Sequence, residues 1–536
     1  MFGDSFLDMA EAMLGKSYNR SSSCDVLNSS SSELNDKYNT ETGKKGTSSS
    51  MLKEKCSINK VKSTVSTCKT DLQDSRPTNS SDRKNDRRRS VVIELPPKRQ
   101  RIKGNYSAVD IIQALNCAMS PEERKEALEN AMGTFDHNDR DLHDSEIEAG
   151  ADVALVKTLV FLEFKTSFRK ESVKVDSEAI ALEIGTVLKI LECVYRASSD
   201  AVGKSFNRVG TDLLHILLVL VDDEIKNSTG KNEKDDGSLG DEYSYVHNLF
   251  LRKATKIFGH FARVGRATRP LARFPGFLSS ILSLINMRSY SSVPFEARLS
   301  CLWTIANLAC NTDNMSILMS TPNLIDSLIT INNRRPHAGD TIETIMEILR
   351  AKSIASRTVL NLSWSLENKI LMSENVALLQ ALSQLALERQ APYKSSKTMQ
   401  NILIQARRHS LASLRNISDA PNHSKISLCT YNSGKLLDVL TDVVLNETDQ
   451  RVVDLSFSVI NNLAIQDTAE AIVDRPALVL ALKNIVLEDN DKDDSREGDM
   501  HSVTCASATI LVLEMAITPD KPSYENLREL LDATAL

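Results

Sequence analysis

No apolar run in this 536-residue sequence approaches the ~18 residues needed to span a bilayer. The longest, 213–221, contains His215 and fits a buried helix, so no membrane partner is expected. Glycine is scarce at 19 residues and aromatics make up only 5%, while Leu, Ile, Ala, Ser and Asn are abundant. That balance argues against a glycine-rich barrel or a doubly wound sheet and for an all-α chain. The nine cysteines (24, 56, 68, 117, 193, 301, 310, 429, 505) are scattered, with no C-x-x-C pair. They fit reduced thiols on helix faces, and no metal site is expected of them. There is no Gly-rich phosphate loop, H-E-x-x-H or G-x-S-x-G, and the nine histidines are dispersed. The expectation is therefore no catalytic residue, no cofactor and no enzyme. The first fifteen residues carry acids and no cleavage-site pattern, so no secretory leader is expected.

What the sequence does contain begins with a charge asymmetry. Residues 1–104 hold 20 Lys/Arg against 13 Asp/Glu, leaving 45 against 58, or −13, for the rest. A basic tail precedes an acidic body, a split typical of targeting or interaction tails. Residues 17–80 are rich in Ser, Thr, Asn and Lys with no sustained apolar period, which predicts a disordered segment. Ahead of it, Phe2, Phe6, Met9, Ala10, Met13 and Leu14 share a helical face that could dock in a partner's groove or on the body of the chain.

At 83–103 stand two basic clusters: Arg83, Lys84, Arg87, Arg88 and Arg89, then Lys98, Arg99, Arg101 and Lys103. Pro96 and Pro97 keep the spacer extended. An extended strand of spaced cations suits an acidic groove and resembles a bipartite nuclear-localisation signal, which implies a nuclear or nucleocytoplasmic protein that meets an import receptor. Arg87-Arg88-Arg89-Ser90 also looks like a basophilic kinase site, where a phosphate would weaken import.

The strongest pattern lies at 297–318, where Leu302, Ile305, Ala306 and Ala309 share a helical face that ends in Ile-Ala-Asn-Leu-Ala. That ending recurs at 359–363, 414–418 and 460–464, each with a central Asn. Aligned on Asn307, the centres are Glu192, His260, Asn307, Asn361, Asn416, Asn462 and Glu514. Six positions earlier every copy is small: Thr186, Ala254, Cys301, Ala355, Ser410, Ser456 and Ala508. Two positions earlier every copy is large: Ile190, Phe258, Ile305, Val359, Leu414, Ile460 and Val512. One position later stand Cys193, Phe261, Leu308, Leu362, Ile417, Leu463 and Met515. Each centre is followed by a short helix (Ile317, Leu371, Ile426, Ile472) and then a longer amphipathic one. No such unit buries its face alone, so stacking must build the core.

The A-x(3)-C-L-W-x(3)-N-L-A string at 297–309 and its counterparts at 351–363, 406–418 and 452–464 resemble the armadillo-repeat family. The resemblance implies an all-α, right-handed α-solenoid of about seven irregular three-helix repeats. It covers 181–516, with a divergent amino-terminal cap at 105–180 and a carboxy-terminal cap at 517–536. Spacings of 68, 47, 54, 55, 46 and 52 between centres leave inserts before the third helix, at 222–242, 332–340, 388–400 and 488–500. The first and last are acidic and are expected as solvated loops without EF-hand spacing.

By the same resemblance the third helices line a groove in which Asn grips an extended peptide backbone and Trp flanks its side chains. The matching residues are Trp303, Asn307, Asn361, Asn416 and Asn462, although Ala412 and Ser458 stand where two further Trp would be expected and Trp364 falls after its Asn. The alternative is that these Asn tie neighbouring repeats together. A second candidate is the acid-free stretch 243–295, with Arg252, Lys253, Lys256, Arg263, Arg266, Arg269, Arg273 and, beyond them, Arg288, whose field favours an acidic peptide or a phosphate-bearing partner. No nucleic-acid reader module accompanies it, so nucleic acid is not the expected partner. The functional expectation is a protein-interaction scaffold. A further likeness, of 87–99 to the carrier-binding segment of importin-α, keeps a transport adaptor open as the alternative.

Overall fold

The computed structural model describes residues 108–532 except 119, 136–143, 145–146, 148, 169–174, 231–240, 288–292, 338, 390–395 and 491–499. The expected tail helix and the basic clusters at 83–103 lie outside the described residues. So do Asp136, His137, Asn138, Asp139 and His143, whose polar string suggests a loop rather than a metal site.

Three helices open the described body: α1 (Ala108–Cys117), α2 (Pro121–Phe135) and α3 (Ala151–Phe168). Ser120 starts α2 with a capping box, its Oγ accepting from the Glu123 amide at 3.1 Å while Glu123 Oε2 accepts from the Ser120 amide at 3.0 Å. α4 (Val175–Ala197) is followed by α5 (Ser199–Gly230) and α6 (Asp241–Arg263). Next come α7 (Gly265–Arg273), α8 (Phe277–Asn286) and α9 (Phe295–Leu308). Two more triplets follow: α10 (Thr312–Met319), α11 (Leu324–Asn333), α12 (Ile342–Leu362), then α13 (Leu366–Glu374), α14 (Val376–Leu387), α15 (Lys397–Ser418). The array ends with α16 (Asn422–Thr430), α17 (Lys435–Asn446), α18 (Gln450–Leu463), α19 (Ala469–Val473), α20 (Pro476–Asn490), α21 (Met500–Ala516) and α22 (Ser523–Asp532).

These helices form three rows. Third helices pack in succession, α4 on α6, then α9, α12, α15, α18 and α21. Second helices α5, α8, α11, α14, α17 and α20 make another row, and the short helices a third. The result is an armadillo-like three-helix solenoid, and every regular element among the described residues is a helix.

The size rule read from the sequence is a packing rule. Ala254, Cys301, Ala355, Ser410 and Ser456 are fully buried between packed helices, Ser410 Oγ donating to the Leu382 carbonyl of α14 at 2.7 Å, while Phe258, Ile305, Val359 and Ile460 fill the core beside them. A larger side chain at the crossing would overpack it at a cost of about 1–3 kcal/mol. Phe258 meets Phe277 of α8 edge-on, with ring centroids 5.1 Å apart, which fixes the second helix against the third. A second device was not read from the sequence. Where the chain turns sharply out of the third helix, Asn314 Nδ2 donates to the Leu308 carbonyl at 3.2 Å and Asn368 Nδ2 to that of Leu362 at 2.9 Å. Asn368 thereby satisfies a carbonyl at the helix end, while the Leu308 carbonyl also accepts from the Asn311 amide at 3.2 Å.

Three expectations need correction. The seventh copy is shifted by one residue: Met515 is 73% exposed, whereas Thr509, Leu513 and Ala516 are buried. Its centre is therefore Met515 rather than Glu514. The first inter-repeat segment has one long helix instead of two, because α5 continues unbroken to Gly230. Asp222, Asp223 and Glu224 are therefore helical rather than in a loop, and Asp222 Oδ1 accepts from Ser280 Oγ of α8 at 2.7 Å. Asp489 likewise belongs to α20.

The third helices also differ in length. α12 and α15 span 21 and 22 residues, against 14 each for α9 and α18. Their extra amino-terminal turns enclose a satellite core of Ile345, Leu349, Leu385, Met399, Ile402, Leu403 and Ala406. Two buried cations border it. Lys352 pairs with Glu388 at 2.6 Å, and Arg407 pairs with Glu447 while its Nε donates to the Ala386 carbonyl at 2.9 Å.

Candidate functional site: the third-helix row

The Asn residues sit at one register of successive third helices, and their amides reach backwards. Asn361 Nδ2 donates to the Ala306 carbonyl at 2.9 Å and to Cys310 Sγ at 3.1 Å. Asn416 Nδ2 donates to Ser363 Oγ at 3.0 Å. Asn462 Nδ2 donates to the Arg415 carbonyl at 3.0 Å and to Ser418 Oγ at 3.2 Å. Each bond crosses from one repeat to the end of the preceding third helix. An amide suits this work because one nitrogen supplies two donors. Asn361 and Asn462 thereby engage both amide hydrogens within the protein, and Asn416 engages one. Asn307 differs: it is half-buried, and among the described residues its side chain has no hydrogen bond.

The position four residues before the centre holds large groups in three successive repeats and small ones, Ala412 and Ser458, in the next two. Lys256, Trp303 and Arg357 occupy it in α6, α9 and α12. Arg357 was not singled out in the sequence, although the alignment that places Trp303 also places Arg357 one repeat on. Its guanidinium carbon lies 5.1 Å from the centroid of the Trp303 ring, a cation–π stack between neighbouring third helices. Arg357 also bonds to the Cys310 thiol. Burial outweighs that contact and holds the thiol above its ordinary range.

Histidines flank this stack on both sides. His260 of α6 is pushed down to about 4 by burial and by the charge of Arg263, and His409 of α15 to about 4 by burial and by Arg357. His409 Nδ1 lies 3.2 Å from the Ser353 carbonyl. Arg263 itself is held below its ordinary value by partial burial and by Arg357. Trp364, the other tryptophan, is 57% exposed just beyond α12.

The seven candidate cations named within the acid-free stretch do not form one patch, and Arg288 lies outside the described residues. Lys253 and Lys256 both pair with Glu192 of α4, Lys256 at 3.2 Å. Burial alone would raise the Glu192 carboxyl, but those two bonds win and hold it low. Arg252 pairs with Glu296 at 3.5 Å and Arg269 with Asp313 at 3.7 Å. The stretch lacks acids in sequence, yet neighbouring repeats supply them in space. Arg263 ends α6 beside the Trp303–Arg357 stack, whereas Arg266, Arg269 and Arg273 stand on α7 in the short-helix row.

Among the described residues no group of three His, Cys, Asp or Glu is placed to hold a metal ion, and no single helix is long and apolar enough to cross a membrane. No protein-family model and no curated protein matches the sequence. Among solved structures the chain is similar to a designed armadillo repeat protein at 16% identity, covering 55% of this chain and 99% of that one with a TM-score of 0.37. It is similar to an engineered protein at 13% identity, covering 79% and 98% with a TM-score of 0.38. A third likeness, at 17% identity over 55% and 99% with a TM-score of 0.36, is to a designed armadillo repeat protein in complex with the peptide (KR)4.

Proposed function

We propose that this chain is a non-catalytic scaffold that binds extended or acidic segments of other proteins along its third-helix row. The observation that carries the reading is the Trp303–Asn307 pair of α9. The Trp303 indole, stacked with Arg357, and the Asn307 amide, which has no hydrogen bond among the described residues, lie one helical turn apart on this row. Stacked repeats create such rows as extended recognition surfaces. A pull-down from cell extract tests it, comparing the full chain with Trp303→Ala/Asn307→Ala. Loss of co-purifying proteins by a variant of unchanged thermal stability supports the scaffold; identical recovery sinks it.

The basic clusters 83–103 would act as the nuclear address of the scaffold, through an import receptor. Deleting them should move the protein to the cytoplasm without creating or removing direct binding to a carrier. The importin-α-like adaptor reading is disfavoured by the stack itself, because Arg357 covers the indole face that an incoming basic side chain would need.

A further inference from the structure

Trp303 has its ring face filled from within the protein. The Arg357 guanidinium rests 5.1 Å from the ring centroid, held there by its place one repeat along the row. An aromatic face attracts a cation through its quadrupole, and a cation already on that face repels the next. Near Arg357 itself stand a second cation and two neutral groups, with the Glu192 carboxylate farther along, beside His260 and paired with Lys253 and Lys256. Arg263 ends α6 on one side, His409 faces the stack from α15, and the Cys310 thiol accepts the Arg357 hydrogen bond. Among the described residues no carboxylate pairs with Arg357, in contrast to Lys253, Lys256, Arg252 and Arg269 nearby. A planar guanidinium keeps several donors in a fixed fork that matches a carboxylate, and stacking on an indole leaves its edge open for that contact.

We infer that the Trp303–Arg357 rung is an anion-selective subsite: it takes an Asp or Glu side chain from an extended protein segment and excludes Lys and Arg. This rests on the scaffold reading above and deepens it by naming the side-chain chemistry. Arg263, held below its ordinary value by burial first and then by Arg357, gives the same sign: an incoming anion relieves the repulsion between the two guanidinium groups and an incoming cation adds to it.

The test uses the full chain carrying Trp364→Phe, which leaves Trp303 as the one tryptophan. Its emission is followed at low salt against alternating Asp-Glu and Lys-Arg octapeptides. The acidic peptide should give a saturable change and bind at least about tenfold more tightly than the basic one. Arg357→Ala should weaken the acidic peptide by about tenfold and let the basic peptide reach the exposed indole. Arg357→Lys should retain part of the preference. The inference is overturned if the basic peptide binds as well as the acidic one, if neither perturbs Trp303, or if Arg357→Ala changes nothing. Tighter binding of single-stranded DNA than of the acidic peptide, lost in Arg357→Ala, would overturn the assignment to a protein segment. The scaffold reading is judged apart from this. Partners lost in the Trp303→Ala/Asn307→Ala pull-down but indifferent to charge leave the scaffold standing and remove the subsite.

Discussion

Asn361 Nδ2 lies 2.9 Å from the carbonyl oxygen of Ala306, so a side chain of one repeat closes the backbone of the repeat before it. The bond recurs with Asn462 and Arg415 at 3.0 Å. Asn361→Ala and Asn462→Ala should therefore each lower stability by about 1 kcal/mol, the net worth of one such hydrogen bond. Urea unfolding measures it. Asn307→Ala, which removes no hydrogen bond among the described residues, should leave the midpoint nearly unchanged.

Arg407 and Glu447 are a buried ion pair, with side chains 2% and 6% exposed. Removing only the carboxylate in Glu447→Leu strands a buried guanidinium and should cost about 3–5 kcal/mol. Replacing both, as Arg407→Met/Glu447→Leu, should recover most of that loss. Chemical denaturation of the single and double variants provides the comparison, and equal destabilisation in both would contradict it.

Stability should fall on mild acidification. His260 and His409 titrate near 4 in the folded chain against an ordinary 6.5, so the unfolded chain binds more protons between those values. The contribution of the neutral rings is complete above 6.5 and is lost as pH drops through the window towards 4. Melting temperature against pH for the native chain and for His260→Asn/His409→Asn should diverge there, with the variant giving the flatter curve.

Gly434 closes a turn in which Asn432 and Ser433 also have positive φ, at 45° and 58° beside its own 84°. A Cβ at Gly434 would both strain the backbone and meet the Arg475 guanidinium, which bonds the Ser433 carbonyl at 3.1 Å. Gly434→Ala should cost about 1–3 kcal/mol, read by thermal unfolding, and Gly434→Asn should cost less than Gly434→Ala.

The repeated fold was legible because stacking imposes one size rule at every crossing. Cys301, Ala355, Ser410 and Ser456 obey it regardless of what the groove does. The last repeat slipped by one residue because no further third helix packs on α21 and demands the rule: Ala508 and Val512 fitted by size alone, while Met515 lies exposed at the end of the row. The site was less legible. Whether an Asn amide faces a ligand or a neighbour depends on where the preceding helix ends, which spacing does not encode. Arg357 escaped notice because its meaning comes from Trp303, fifty-four residues earlier in sequence and adjacent only after stacking.

The long α12–α15 pair, with its private core under the extra turns, has a consequence for how the array assembles. A linear stack folds outward from whichever neighbour interface is strongest, since each further unit needs a formed surface to land on. Here that interface lies inside the array, so order should spread from the middle towards both ends. Native-state hydrogen exchange should find the slowest amides in α12 and α15, with protection decreasing towards α4 and α21.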